Sequence, residues 1–137
     1  MLQERSSDIR VDTFMHTPVH IAVIFQDVSL LRFLIHDCAC EIDIFDMNGW
    51  TALSYIAITG DPNQNYIAKE LLRLGADIHK ECRDSGYESA LDFARDKQDE
   101  NPSLYKLLMR YADFDKKWES LKALAYTRLK LKRFTLI

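Results

Sequence analysis

Thr17-Pro18-Val19-His20-Ile21-Ala22 reads as a helix start and is echoed twice, by Thr51-Ala52-Leu53-Ser54-Tyr55-Ile56-Ala57 and by Ser89-Ala90-Leu91-Asp92-Phe93-Ala94. Each opens with a hydroxyl residue whose oxygen accepts from an unpaired amide of the first turn, followed by Pro or Ala at the first helical position. His20, Ser54 and Asp92 stand three residues after each cap, and Ser89 with Asp92 forms an acidic variant of the capping box. Small residues at Ala22, Ala57 and Ala94 let each short helix approach a neighbour closely. A second apolar run at helical spacing follows each start: Val28, Leu30, Leu31, Phe33, Leu34 and Ile35; then Tyr66, Ile67, Leu71 and Leu72; then Leu104, Leu107 and Leu108. Each unit is therefore a helix pair.

The punctuation between the runs agrees. Leu74-Gly75-Ala76-Asp77-Ile78 closes the second pair, with Gly75 supplying the left-handed residue that ends a helix. Turn-rich stretches, Asp46-Met47-Asn48-Gly49-Trp50 and Asp84-Ser85-Gly86-Tyr87, precede the second and third starts. The starts are 34 and then 38 residues apart. That spacing predicts a stack of helix pairs with little or no sheet.

On these residues the chain resembles the ankyrin repeat family, whose signature is a glycine-containing finger, then Thr-Pro-Leu-His-x-Ala, then Leu-Leu-x-x-Gly-Ala-Asp. Residues 17–22 and Leu71-Leu72-Arg73-Leu74-Gly75-Ala76-Asp77 match closely, residues 46–53 well, and residues 89–94 more loosely. Tetratricopeptide and HEAT arrays are the competing helix-pair solenoids, and the glycine fingers argue against them. The resemblance implies an all-α fold: a short solenoid of three helix-pair repeats with connecting fingers and a C-terminal capping helix. The expected organisation is a flank at residues 1–11, repeats at about 12–45, 46–83 and 84–114, and a C-terminal helix with a basic tail at 115–137. Met15 stands where the first finger's glycine belongs, as befits a degenerate N-terminal cap repeat. About three extra residues at 61–65 and two at 97–103 lengthen the loops inside the second and third repeats, and read as neutral surface insertions.

Composition sets the outer bounds. A chain of 137 residues, 47% hydrophobic and 28% charged, makes one folded domain or a few repeats rather than a disordered segment. No run approaches the ~18 apolar residues of a membrane-crossing helix, and residues 1–12 are polar and mixed in charge, so an intracellular location is expected, cytoplasmic or nuclear, or inside a host cell for a pathogen effector. Three cysteines, Cys38, Cys40 and Cys82, are an odd number that suits free thiols in a reducing compartment. His36, Cys38, Cys40, His79 and Cys82 are the one cluster with soft metal-ligand chemistry, but Cys-x-Cys with distant histidines is an irregular set for zinc. No metal and no cofactor are expected. The chain carries no nucleophile elbow, Walker loop or dinucleotide fingerprint, and no nucleophile and base at a readable spacing; no catalytic residue is assigned. The resemblance gives His20 a structural task, bonding the capping threonine and tying neighbouring fingers together.

The expected work is binding a protein partner. The resemblance places the finger residues Met47, Asn48, Trp50, Asp84, Ser85 and Tyr87, with the first-helix residues Ile58 and Thr59, on the partner-facing side. Trp50 and Tyr87 are the natural anchors, since large rings bury much area at low entropic cost; Trp50 is equally readable as a lid packed over its own finger. Charge is unevenly spread. Residues 115–137 hold seven basic and two acidic side chains, a net of +5, leaving eleven basic and nineteen acidic residues, a net of −8, in residues 1–114. Trp118, Leu121, Leu124 and Ala125 predict a further helix over about 116–126. The alternating Leu129-Lys130-Leu131-Lys132 suits an extended segment as well as a frayed helix. A tail carrying Arg128, Lys130, Lys132 and Arg133 is the alternative contact, toward an acidic partner or an anionic membrane; nucleic acid is not expected, because no base-reading element accompanies it. The same sequence also suits a recruitment domain of a larger protein.

Overall fold

The computed structural model describes residues 16–83, 86 and 88–135, and of residues 131–135 the backbone only. The described residues form α-helices with no strand: α1 (Pro18–Ile24) and α2 (Val28–His36), α3 (Ala52–Thr59) and α4 (Asn65–Arg73), α5 (Ala90–Asp96) and α6 (Pro102–Thr135). These are the three expected pairs.

The caps set the starts. Thr17 accepts from the His20 amide, Asp27 from Leu30 and Thr51 from Ser54, while Ser89 and Asp92 complete a reciprocal capping box. Gly75 ends α4 at φ +99°, with the Ala76 amide donating to Leu71 and the Gly75 amide to Leu72, the paired bonds of a Schellman closure.

The helices form two layers. α3 packs against both α1 and α5, and α4 packs against α6. Ala22, Ala57 and Ala94 are sealed within the first-helix layer at 1% exposure or less, as close helix approach requires. Between the layers lies the apolar core, with Val19, Val23, Leu31, Leu53, Ile56, Ile67, Leu71, Leu104 and Leu108 shut off from solvent. Polar links then join successive repeats. The Arg32 guanidinium of α2 donates to Glu70 of α4 at 2.6 Å. The Asp77 amide donates to Asp43 at 3.0 Å, and the Tyr66 hydroxyl sits between the Gln26 carbonyl and side-chain oxygens at 3.0 and 2.9 Å.

Two features differ from the sequence expectation. The second helix of the third repeat and the expected C-terminal helix are one continuous helix of 34 residues, about 51 Å long at 1.5 Å per residue. No Gly or Pro follows Pro102, so nothing in the chain stops the helix. Its residues 113–130 are exposed, so this part extends away from the solenoid instead of closing its end. The lengthened loops are also more than neutral insertions. Gln64, on a 3₁₀ turn at Pro62–Gln64, is buried and accepts from the Thr59 hydroxyl, and Asn65 and Asn101 exchange two amide hydrogen bonds at 3.0 and 2.8 Å. Asn101, 2% exposed, also caps α6 by accepting from the Leu104 amide. The expected finger at residues 12–16 falls almost wholly outside the described residues.

Candidate functional site

The finger before α3 is built around one carboxylate. Asp46 is fully buried, and its Oδ1 accepts from the backbone amides of Asn48 and Trp50 at 2.9 and 3.0 Å, an Asx turn extended by one bond. The Asp46 amide donates to the Trp50 carbonyl and the Gly49 amide to the Asp46 carbonyl, with Gly49 at φ +78°. That conformation favours glycine and explains the Asn-Gly pair at the tip.

His20 fixes this finger from the preceding repeat. Its Nε2 lies 2.9 Å from the Trp50 carbonyl oxygen, and its Nδ1 lies 2.6 Å from Thr17 Oγ1. A carbonyl only accepts, so Nε2 carries the proton and donates to Trp50, while Nδ1 accepts from the Thr17 hydroxyl in the neutral ring. The link between threonine, histidine and finger that the resemblance implied is thus present. The second finger is joined to the third by the Arg83 amide, which donates to the Gly49 carbonyl at 3.0 Å. Phe45, at the finger's base, is covered by Lys80 Nζ and the Arg83 guanidinium, each 5.5 Å from the ring centre.

On this frame Met47 is 63% exposed and Asn48 is exposed, so both stand free at the tip. Trp50 is half-buried with both backbone polar groups engaged. Ile58 is half-buried and Thr59 exposed near the end of α3, the Thr59 hydroxyl donating to the Ile56 carbonyl. Met47, Asn48 and Trp50 share one finger, with Ile58 and Thr59 on the helix it leads into. Asp84, Ser85 and Tyr87 lie outside the described residues. In the basic tail, Arg128 and Lys130 are exposed on α6, and the side chains of Lys132 and Arg133 are outside the description.

Electrostatics around the fingers is local. The backbone amide of Ser89 holds the Asp92 carboxyl below its ordinary range, helped by the Ser89 hydroxyl and Arg95. Burial pushes Asp43 up, against the hydrogen bond from the Asp77 amide. Cys40 and Cys82 are buried and Cys38 is partly buried, and no group of three or more His, Cys, Asp or Glu side chains among the described residues is placed to hold a metal ion. The organising role of Asp46 escaped the sequence reading, although Asp-x-Asn-Gly is itself an Asx-turn signal. Also unread were the cations Lys69, Arg73, Lys106 and Arg110 on α4 and α6, whose signal is a four-residue repeat on consecutive second helices.

No described helix is long and apolar enough to cross a membrane. No curated protein matches the chain. The family model for ankyrin repeats (3 copies) matches residues 1–82, more than half of the sequence, and the third helix pair continues the same architecture beyond it. The chain belongs to the ankyrin repeat family.

Proposed function

We propose that this chain is a protein-binding module that engages its partner through the finger and first-helix side of the second and third repeats and carries out no catalysis of its own. Ankyrin repeats are generally protein interaction modules. The observation that carries the reading is the second finger: its backbone is fixed by Asp46 and His20 while Met47 and Asn48 project from it unburied. A tip ordered before binding loses little entropy on contact, which suits recognition. The partner surface comprises Met47, Asn48, Trp50, Ile58 and Thr59, with Asp84, Ser85 and Tyr87 from the next finger. Since residues 1–114 carry −8, the partner is basic or mixed in charge, with an apolar group near Trp50.

The test compares proteins retained from a lysate by the wild-type chain, by Met47→Ala/Trp50→Ala and by Trp50→Ala/Tyr87→Ala, then measures affinity for the purified partner. Trp50→Ala is expected to weaken binding by ~2 kcal/mol or more with little change in melting temperature. A lowered melting temperature with affinity otherwise intact makes Trp50 a packing lid. Undiminished affinity in both double variants places the interface elsewhere.

A further inference from the structure

In the second-helix layer, away from the fingers, α4 and α6 enclose two hollows of about 420 and 640 Å³. Both are lined by Lys69, Leu107 and Arg110, so they form one continuous groove. Lys106 joins the first and Arg73 the second, giving four cations along the rims, while Leu72, Leu107, Tyr111 and Phe114 supply the apolar lining. Asp115 is the one acidic residue in either lining. Arg73 reaches Glu70 only at 3.8 Å, and Glu70 is already held by Arg32 at 2.6 Å.

The groove continues along the free part of α6. Leu107, Tyr111, Phe114, Trp118, Leu121 and Ala125 follow one another at alternating steps of four and three residues on one helix. That is the 3.5-residue spacing of a coiled-coil seam, a pattern that is covered by a second helix where such coils form. Within the solenoid the seam is half-buried, but Phe114, Trp118 and Leu121 are 63%, 51% and 58% exposed. A bare apolar seam on a helix is what a partner helix covers.

The charges beside the seam select the occupant. The positions flanking it hold Arg110, Lys117 and Lys122 against Asp115. An in-register parallel copy would set Lys117 against Lys122 and match only Arg110 with an opposite charge, Asp115, while an antiparallel copy would bring Arg110 and Lys117 together, so a second copy leaves like charges facing across the seam. A helix with glutamate or aspartate at those positions meets opposite charge.

We infer that the α4–α6 groove and the exposed seam of α6 bind an acidic amphipathic helix of a partner protein. This site shares no residue with the fingers, and its outcome is independent of theirs.

The experiment titrates the full chain with two synthetic three-heptad peptides that share a leucine seam, one flanked by glutamates and the other by lysines, and with vesicles containing phosphatidylserine. The glutamate peptide is expected to bind, more weakly as salt rises. Arg110→Glu/Lys117→Glu should weaken it about tenfold or more and create binding of the lysine peptide. Phe114→Ala/Trp118→Ala should abolish binding, and Met47→Ala/Trp50→Ala should leave it unchanged. The substituted groove residues are solvent-facing, and matched circular dichroism checks that each variant is folded. Equal binding of both peptides, or none of either, overturns the proposal. Vesicle binding without peptide binding replaces the partner with a membrane surface, and concentration-dependent self-association lost in Phe114→Ala/Trp118→Ala replaces it with a second copy.

Discussion

His20 is fully buried and has both ring nitrogens engaged by groups thirty-three residues apart in sequence, Thr17 and the Trp50 carbonyl. A buried polar group stripped of its partner keeps its desolvation cost, so such a histidine holds more than its own packing. His20→Leu preserves most of the volume but leaves the buried Thr17 hydroxyl without its acceptor and removes one of the two donors to the Trp50 carbonyl, which keeps the Asp46 amide; it should cost about 2 kcal/mol in denaturant unfolding, within the usual range for an orphaned buried polar group. The loss should be accompanied by faster hydrogen exchange at the finger amides of Asn48 and Trp50, a readout that a mere packing defect would not localise there. Ala39 offers the opposite sign. It sits at φ +54°, a conformation that costs a non-glycine residue roughly 1–2 kcal/mol. Ala39→Gly removes that strain and adds some chain entropy to the unfolded state, so a net gain of about 0.5 kcal/mol is expected, seen as a small rise in melting temperature. The Thr17 cap on the His20 amide was legible in the sequence because it is local, three residues along one helix turn, but the bond between the ring and that hydroxyl was supplied by the family resemblance. The Trp50 end was supplied by the family resemblance, since composition and periodicity say nothing about contacts thirty residues apart.

The same division governs the elements. Helix starts were legible because a capping side chain and the amide it satisfies lie within one turn, as at Thr51 with Ser54 and Ser89 with Asp92. The end of α6 was not, since the apolar residues beyond Phe114 suggested a separate packed helix and only the absence of any stop residue signals continuity. The inserted loops misled for another reason: a polar loop reads as surface, yet Asn65 and Asn101 find each other across thirty-six residues, with Asn101 buried and Asn65 half-buried. That pair ties the start of α4 to the start of α6. In Asn65→Ala the Asn101 oxygen keeps its bond from the Leu104 amide, while its NH₂ group loses the acceptor it now has. The expected cost is about 1–2 kcal/mol, measured as a shift in the urea midpoint at unchanged slope. A changed slope would instead mean that the third repeat separates from the other two, and the unfolding would no longer be two-state.

Across the whole molecule, a solenoid has no long-range core, and each repeat holds only to its neighbours. The links between repeats therefore carry weight beyond their number, and two of them end on a carboxylate, that of Glu70 or Asp43, which makes their strength depend on pH. The Arg32 guanidinium hydrogen-bonded to Glu70 holds that carboxyl below its ordinary value of 4.5, with Arg73 adding to the effect. A carboxyl depressed in the folded state contributes stability that is fully present above its unfolded value and is lost as pH falls through the folded one. Asp92, depressed by the Ser89 amide, acts in the same direction, while Asp43, raised by burial, acts in the opposite one. For Glu70 the loss begins as pH falls below its ordinary value of 4.5. In Glu70→Gln the first of these contributions is absent at every pH. The variant should be less stable than the wild type at pH 7, and the gap should narrow through pH 4 and below, as the wild-type carboxyl itself becomes protonated. Urea unfolding at a series of pH values measures both curves. Parallel curves would show that Glu70 joins the first two repeats by shape alone, and that the pairing of Arg32 with Glu70 contributes nothing to the coupling between them.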